Sequence, residues 1–458
     1  MSELRIIITN DRVSRRRSAG RVAVAVALAA LVACGGDDDG PRPVTYYEDV
    51  APILRSNCMS CHQEDGTAPF SLTSYEEVRD NATAVVAMTA SRKMPPVPAA
   101  ADGSCQTFRD AQWLTTEQLD IIKRWADAGS PPGDAANDPG EPDAISHLGN
   151  EAVTLQSAQA YTPNVSATRQ DDYRCFLIDP GLTTTQFVTA TEFIPATELA
   201  HHMALFTVDP DQMAGPETNR QALAALEAAD AAYGWECYGS VGGLVQPQAQ
   251  IGSWAPGTGL TEMPPDTGMA IKAGELVVMQ IHFRRHDDDS PAPDRSTIKF
   301  RFAPSVKLTA VTMFRDPFLV SLFEGNPSML EPGRAAVPYH WELPVSNLFD
   351  EVEQQQGRRP TGLSVIGMAP HMHELGRRYE AALVSPQGTS SCAIQIPSWD
   401  FAWQRSYFYQ AAMTVTDPAT KVDVTCTYDT RGVTTPVYPG HDAGFEMCSL
   451  IVNVVPTF

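Results

Sequence analysis

The chain is short of basic side chains and of long apolar runs. Its 458 residues include 33 Lys and Arg against 55 Asp and Glu, which gives a formal net charge of −22 at pH 7. Such an acidic surface disfavours nucleic acid and anionic lipid as partners, because both are themselves negatively charged. The apolar run Val22–Val32 is too short to cross a bilayer, since a spanning helix needs about 20 apolar residues. The 43% of hydrophobic residues and the 7 Trp are typical of ordered globular structure, and the length suffices for about three domains.

The N-terminal residues 1–33 have the pattern of an export signal. Six arginines against two acidic residues give this segment a charge of +4, so the rest of the chain carries −26. The arginines precede the apolar run, which ends in Leu31-Val32-Ala33-Cys34-Gly35 and resembles a bacterial lipobox. We therefore predict an exported bacterial lipoprotein with lipid on Cys34 and a polar tether over 34–44. It would meet the membrane only through that lipid and face the periplasm or the cell exterior. An ordinary secretory signal with an incidental cysteine is the alternative, and both lead to a compartment where disulfides persist.

After the tether, residues 45–130 have the spacing of a small helical unit. Tyr47–Asn57 carries apolar residues at helical intervals, and Thr115 with Gln118 forms a capping box at the start of a second helix. Residues 131–146 are rich in Pro, Gly and acidic residues and have no periodicity, so we interpret them as a linker.

From the linker to the C-terminus, short alternating runs broken by Pro and Gly predict sandwiches rather than helical domains. Glu275–Phe283 is the clearest strand, with a core face and an opposite, more polar face that carries His282. An Ala-rich stretch, Gln221–Ala232, predicts one helical insertion. The remaining length fits two β domains, which we place at 147–305 and 306–458. The predicted fold is therefore a small all-α domain followed by two all-β sandwich domains.

The motif Cys58-Met59-Ser60-Cys61-His62 predicts the covalent attachment of a c-type haem. Two thiols at this spacing can meet both vinyl groups, and His62 follows as the proximal iron ligand. A Cys-x-x-Cys pair can also be a redox or zinc site, but here it follows an amphipathic helix in an exported chain. We expect the second axial ligand at Met94, with Met88 as the rival and a core methionine as the alternative for both.

This helical unit resembles the small monohaem cytochrome c domains of bacterial oxidoreductases. The resemblance rests on the haem motif, on Ala68-Pro69-Phe70-Ser71-Leu72 and on Met94-Pro95-Pro96, which occur in the expected order. It implies a cytochrome c-like fold for the unit.

Several side chains further along can bind a metal ion, namely the doublet His201-His202, then His282, then His371-Met372-His373, and finally Met447. Residues i and i+2 of a strand face the same way, so His371 and His373 can converge on one ion, and Met447 can close that site. Neighbours in a regular strand face opposite ways, so the doublet needs a bulged or sharply twisted backbone to bind one ion. Imidazoles with one thioether suit copper. Each signal alone is weak, because a methionine in an apolar strand is usually a core residue and a lone histidine is usually exposed.

Taken together and in order, these groups resemble the copper type II, ascorbate-dependent monooxygenases. The matching motifs are Ala200-His201-His202-Met203, Gln280-Ile281-His282, His371-Met372-His373-Glu374-Leu375-Gly376 and Glu446-Met447-Cys448. The resemblance implies two jelly-roll sandwiches that each hold one copper ion and face each other across a wet cleft. It implies an electron-transfer copper on His201, His202 and His282. It implies a second copper, which binds oxygen and substrate, on His371, His373 and Met447.

The nine cysteines fit this reading. Cys34 is assigned to lipid, and Cys58 and Cys61 to haem, which leaves six. An even number predicts a disulfide framework in an exported protein, with the connectivity open. The monooxygenase resemblance implies the pairs Cys175–Cys237 and Cys426–Cys448, and by elimination Cys105 would pair with Cys392.

The family's reaction implies reductive activation of O2 and hydroxylation of a C–H bond in a small organic substrate. Electrons would come from ascorbate, from another periplasmic or external donor, or through the fused haem, whose effective concentration is high. Ala369 stands where peptide-hydroxylating members have a basic residue, and Ser449 and Ile451 stand where they have an amide and a phenol. A C-terminal-glycine peptide is therefore not the expected substrate. The alternatives are a non-catalytic copper or haem electron-transfer protein and a binding module. The remaining histidines near these motifs are expected to be surface or structural residues: His286, His340 and His441.

Overall fold

The computed structural model describes residues 42–458 apart from short gaps. These gaps are 65–67, 69, 97–98, 101–102, 110–112, 142–145, 239, 257, 286–289, 326, 402 and 441–443. The export signal and the predicted lipidation site Cys34 therefore lie outside the described residues, as do Pro69, His286 and His441. Among the residues described, no helix is both long and apolar enough to cross a membrane.

The described part of the N-terminal unit is helical. A π-helical turn, Tyr46–Val50, leads directly into the first helix. The helices are α1 (Ala51–Asn57), α2 (Tyr75–Asp80), α3 (Ala82–Ala90) and α4 (Thr116–Asp127). The predicted capping box starts α4, because the Thr115 hydroxyl accepts from the Gln118 backbone N–H and the Gln118 side chain accepts from the Thr115 N–H. Both helices predicted from the sequence are confirmed. The cytochrome c-like identity of the unit stays a prediction.

The rest of the chain is dominated by strands. They are β1 (Val153–Gln156), β2 (Asp171–Ile178), β3 (Gln186–Ile194), β4 (Ala200–Val208), β5 (Met213–Ala214), β6 (Glu217–Thr218), β7 (Trp235–Glu236), β8 (Ala249–Trp254), β9 (Thr261–Glu262), β10 (Thr267–Ile271), β11 (Leu276–Arg284), β12 (Thr297–Ala303), β13 (Leu308–Arg315), β14 (Val337–Pro344), β15 (Gly362–His371), β16 (Gly376–Val384), β17 (Ser390–Ile396), β18 (Tyr407–Val415), β19 (Lys421–Tyr428) and β20 (Ser449–Thr457). In the part of this region that the structure describes, three α-helices interrupt the strands, α5 (Asn219–Ala229), α6 (Pro317–Ser321) and α7 (Ser346–Gln356). The predicted strand near 275–283 and the predicted helical insertion are both present, as β11 and α5.

Four layers of strands form two sandwiches. In the first sandwich, the sheet β7-β2-β11-β4-β8 packs against β1-β12-β3-β10, and residues of both layers share one core that includes Phe176, Met279 and Phe300. In the second, β13-β20-β15-β18 packs against β14-β19-β16-β17 around a core that includes Val452 and Val424. The prediction of sandwich architecture for this part of the chain is confirmed.

The two sandwiches share one sheet, which the sequence did not predict. β10 and β13 pair in parallel, with Thr267 opposite Leu308, so the two inner layers form one nine-stranded sheet. Apolar packing also continues across the join, since Ile366 and Phe408 of the second sandwich belong to the core of the first. The relative position of the sandwiches therefore depends on backbone hydrogen bonds as well as on side chains.

The described residues contain three disulfides, and they join the expected pairs: Cys105–Cys392, Cys175–Cys237 and Cys426–Cys448. The first of them ties the segment after α3 to β17 of the second sandwich. Backbone hydrogen bonds extend this contact, from Ala100 N–H to the Gln395 carbonyl at 2.8 Å and from Arg109 N–H to the Phe408 carbonyl at 2.9 Å. The end of the N-terminal unit therefore packs along the second sandwich.

Candidate metal centre

Three histidines of the first sandwich converge where two neighbouring strands pair. His201 and His202 lie near the start of β4, and His282 lies near the end of β11. The ladder pairs His282 with His202 and Phe283 with Ala200, which leaves His201 as an extra residue in β4. This is a β-bulge, the irregularity that lets both imidazoles of a doublet reach one ion. The backbone irregularity predicted at the doublet is confirmed.

The ring nitrogens of these residues have the spacing of ligands to a shared ion. The Nδ1 atom of His202 lies 3.2 Å from Nδ1 of His201 and 3.3 Å from Nδ1 of His282. One candidate ligand atom from each residue lies within 4.8 Å of the others. Two nitrogens bound to one ion at about 2.0 Å and at a tetrahedral angle would lie about 3.3 Å apart. The three residues therefore fit a metal ion of the size of copper or zinc. Their role as ligands stays a prediction.

Burial favours the neutral, metal-binding form of His202 and His282, and a carboxylate neighbour orients the His282 ring. His282 is fully buried, its ring stacks on Tyr173 with centroids 4.0 Å apart, and its Nε2 lies 2.8 Å from Oδ1 of Asp171. Donation to Asp171 leaves the lone pair of His282 on Nδ1, towards His202. Burial and the neighbouring imidazoles lower the pKa of His202 well below 6.5, and burial lowers the pKa of His282 although Asp171 opposes it. Neutral imidazoles result at pH 7, and metal binding requires this form.

The second set comes from the ends of strands rather than from their interiors. β15 ends at His371, so His373 lies beyond it, and Met447 precedes the first residue of β20 by two positions. The expectation that the His-x-His pair lies within one strand is therefore wrong. The backbone turns after His371, and the two rings are nearly perpendicular, with centroids 5.0 Å apart.

Each imidazole of the second set directs its Nδ1 at an oxygen atom. Nδ1 of His371 contacts the side-chain oxygen of Gln404, and Nδ1 of His373 lies 3.1 Å from the carbonyl oxygen of Phe445. Because an oxygen of this kind accepts, both Nδ1 atoms carry the proton, and the lone pair that could bind a metal ion is on Nε2. The first set thus offers Nδ1, whereas the second set offers Nε2.

The buried side chain of Glu446 ties the His-x-His turn to the methionine segment. Glu446 accepts hydrogen bonds from the backbone N–H groups of His373 at 2.9 Å and Leu375 at 2.7 Å. Burial raises the pKa of Glu446 to about 8, although these hydrogen bonds favour the ionised form. The next residue, Met447, is buried, and its carbonyl accepts from the Tyr428 hydroxyl at 2.7 Å. The positions of His373 and Met447 are therefore coupled through Glu446.

Both sets open onto one cavity of about 120 Å³. Its lining includes residues of both sets, namely His202, His371, His373 and Met447. The ring centroids of His202 and His371 are 6.4 Å apart, and the Phe401 ring lies 5.0 Å from His201 and 5.8 Å from His373. The two sets therefore lie close together around one cavity, and the expectation of two metal sites that face each other across a wet cleft stays a prediction. The shared sheet and Phe401 bring the two sets into contact distance.

The haem motif follows the end of α1. Cys58 and Cys61 are free thiols, and burial, with a smaller contribution from Cys61, raises the pKa of Cys58 to about 12. His62 is buried, and its Nδ1 lies 2.9 Å from the carbonyl oxygen of Phe70, so its Nε2 carries the lone pair that an iron ligand needs. Met94 lies in the turn region after α3. These residues fit a c-type haem, and its attachment stays a prediction.

Sequence reasoning missed the residues that orient the candidate ligands. Asp171, Phe401 and Gln404 lie in segments that contain no recognisable motif. Glu446 was the exception, since it stands beside Met447 in a matched motif. His340 lies away from the cavity as expected, with an exposed side chain 3.0 Å from Asp423.

Residues 348–454 match the family model described as the copper type II ascorbate-dependent monooxygenase, C-terminal domain. The matched range lies within the second sandwich and contains His371, His373 and Met447. The match supports the resemblance to this family and, in general terms, a copper-dependent oxidoreductase that uses O2.

No curated protein matches the chain. Among solved structures, similarity is recorded to PNGF-II, with 8% identity, a TM-score of 0.24, and coverage of 67% of this chain and 66% of that one. Similarity is also recorded to allantoicase, with 10% identity, a TM-score of 0.17, and coverage of 69% of this chain and 93% of that one. Neither likeness carries an argument about fold or function.

Proposed function

We propose that the protein is a copper-dependent monooxygenase that hydroxylates a C–H bond of a small organic substrate with O2. The observation that carries the proposal is that two sets of side chains able to bind a metal ion, one from each sandwich, both contribute to one cavity, the first set through His202. The family match over 348–454 supports it. The first set would hold the electron-transfer copper: His201, His202 and His282. The second set would hold the copper at the reaction site: His371, His373 and Met447.

Copper, when bound, supplies one-electron redox chemistry and the reductive activation of O2. The chain itself orients the ligands and limits the access of water. Asp171, Gln404 and the carbonyl of Phe445 decide which nitrogen is available in the imidazoles that they contact, those of His282, His371 and His373. The thioether of Met447 is a soft donor that favours the reduced state of copper. The closeness of the two sets gives an electron a short path between them.

We also propose that the helical unit relays electrons to the copper sites through a c-type haem. Cys58 and Cys61 would attach the haem, and His62 and Met94 would bind its iron. The disulfide Cys105–Cys392 supports a lasting contact between this unit and the second sandwich. Ascorbate or another periplasmic or external donor would reduce the haem or the coppers.

The proposed location is the membrane surface, facing the periplasm or the cell exterior, with lipid on Cys34. Three disulfides support an oxidising compartment. Mass spectrometry of the N-terminal peptide of the mature protein tests the lipid. An unmodified N-terminus after residue 33, or an intact signal, would contradict the anchor.

The haem and copper content of the purified mature protein is the test of the metal sites. We expect one haem and two coppers per chain after reconstitution with Cu(II), and oxygen uptake in the presence of ascorbate. A non-catalytic electron-transfer protein would have the same content without oxygen uptake. A copper content near zero would contradict both readings.

Rapid mixing of the reduced protein with O2 tests the relay. We expect the haem to be reoxidised at the rate at which the coppers turn over. A Cys58→Ser, Cys61→Ser variant is the control, since it should bind copper without covalent haem. Haem that stays reduced during turnover would refute the relay and leave the monooxygenase proposal intact.

A further inference from the structure

The cavity contains a basic side chain whose charge no lining residue compensates. Among the described residues that line the cavity, Arg405 is the only Lys or Arg, and none is Asp or Glu. A chain with a net charge of −22 has many carboxylates that could stand there. Since a guanidinium does not lose its proton in proteins, this positive charge is permanent.

Arg405 also has a hydrogen-bond donor without a partner. Its Nε atom is buried and makes no hydrogen bond. The guanidinium carbon lies 5.8 Å from the centre of the Tyr407 ring, which is a neutral neighbour whose own buried hydroxyl is also unsatisfied. Buried donors are almost always satisfied in native proteins, so an orphaned one on a cationic group that lines a cavity points to a partner supplied from the cavity.

Two amides in the wall, those of Gln404 and Gln280, are engaged elsewhere. The side-chain oxygen of Gln404 contacts His371, and its amide donates to the Phe401 carbonyl at 2.9 Å. The amide of Gln280 donates to the Ser240 carbonyl at 2.7 Å. The partner that Arg405 lacks is therefore not supplied by these amides.

We propose that Arg405 binds an anionic group of the substrate, and that the substrate is a small organic acid with an apolar body. The proposal rests on the proposed function for the identification of this cavity as the active site. A carboxylate presents two oxygens to the planar fork of a guanidinium, which gives a paired, charge-assisted contact. Trp254, Phe314 and Ile451 supply apolar wall for the rest of the molecule. The volume of about 120 Å³ suits a small molecule, because one water needs about 10–15 Å³.

The charge of Arg405 also explains how a molecule would be oriented. An acid held at Arg405 would point its apolar body along the wall, which also contains His371, His373 and Met447. Arg405 is thus a specificity-determining residue for the position of the C–H bond relative to the second histidine set.

Calorimetric titration tests the proposal without requiring turnover. The probes are benzoate, phenylacetate, 3-phenylpropanoate and hexanoate, each paired with its primary amide, and the protein is the full mature chain with and without copper. We expect the best acid to bind about 10- to 100-fold more tightly than its amide, the range of a charge-assisted hydrogen-bonded pair. In Arg405→Gln this preference should disappear, while the affinity for the amide changes less than about twofold, since the amide makes no ion pair. Arg405→Lys should retain part of the preference, because it keeps the charge without the fork.

Arg109→Gln is the matched control. Its Nε is also buried without a partner, but Arg109 does not line the cavity. We expect this variant to keep the full preference for the acid. Thermal unfolding monitors the fold of each variant, and Arg405→Gln should be no less stable than the parent, since it removes an unsatisfied buried donor.

Two outcomes would overturn the proposal. One is that no acid of the panel binds better than its amide to the parent protein. The other is that Arg405→Gln, folded as judged by its unfolding temperature, retains the preference. Copper content and oxygen uptake separate this proposal from the proposed function. An Arg405-dependent preference without oxygen uptake would support the anion site and refute the monooxygenase, whereas uptake with a neutral substrate alone would do the reverse.

Discussion

The first histidine set is built into two hydrogen-bonded strands, whereas the second combines the last residue of β15 with residues just beyond β15 and just before β20. In the first, the ladder between β4 and β11 and one bulge position the rings, and Asp171 orients His282. In the second, side chains and carbonyls from loops orient the rings, and Glu446 holds the turn. Both sets contribute to the same cavity, but their supports differ in kind.

This difference fits the two roles that we propose. Strands position side chains more accurately than loops do, and an electron-transfer site benefits from a geometry that stays constant. Binding and catalytic residues are often carried by loops on a rigid scaffold, because loops can vary and adapt around a substrate. The contrast makes specific predictions about what happens when each set is disturbed separately.

The largest effect is expected when one ligand is removed from either set. His202→Ala and His371→Ala should each lower the copper content from two ions to one and weaken binding at the altered site by more than about 100-fold, since even the loss of outer partners costs about 10- to 100-fold. Equilibrium dialysis with metal analysis measures this. His340→Ala is the control, because His340 lies away from the cavity. If both variants kept two coppers, the assignment of two sets would fail.

Removal of one disulfide should mainly lower the unfolding free energy, whereas removal of another should mainly weaken copper binding. The pair Cys175–Cys237 closes a longer segment, 62 residues, than Cys426–Cys448, 22 residues. From loop entropy, replacing the first pair by alanines should cost about 4 kcal/mol of unfolding free energy and replacing the second about 3 kcal/mol. Copper binding at the second set should nevertheless suffer more from the loss of Cys426–Cys448, because Cys448 adjoins Met447. Chemical denaturation and copper titration of both double variants measure the two effects. Equal copper loss in both would contradict the comparison.

The loss of Asp171 should affect the first set alone. Asp171→Asn removes the charged acceptor for His282 Nε2 and should weaken copper binding at that set by about 10- to 100-fold, with the second set unchanged. Asp423→Asn is a matched control, since Asp423 pairs with the exposed His340 at 3.0 Å. Copper titration followed by electron paramagnetic resonance distinguishes the sites. Equal weakening at both sites would show that the sets are not supported independently.

The smallest effect is expected at the ion pair between the two sets. Arg284 of the first sandwich contacts Glu374, which follows His373, and the Glu374 side chain is 46% exposed. Glu374→Gln should therefore change the unfolding free energy by less than about 1 kcal/mol. Both coppers should remain, because the shared sheet rather than this pair holds the sandwiches together. If either set lost copper in this variant, the ion pair would be needed to hold the two sets in place, and the shared sheet alone would not be sufficient.

Local features of this chain could be predicted from the sequence because they depend on neighbours. The helix that begins after Thr115 follows from a capping box, and β11 follows from an alternation of apolar residues. The bulge at His201 followed from the geometry of a doublet in a strand. The prediction for His371 and His373 was wrong about the strand, since the residue at which a strand ends depends on pairing partners rather than on its own sequence.

By itself, the sequence determined the chemical types and the order of the groups: six candidate metal ligands, a haem motif, and cysteines in even number after those assignments. Only the tertiary structure decided that the two histidine sets adjoin, that β10 and β13 fuse two sandwiches, and that Arg405 stands uncompensated in their common cavity. Residue types and short spacings can be read from a short stretch of the sequence. The meeting of His202 with His371 depends instead on the sum of many weak contacts between distant segments, none of which is visible in either motif.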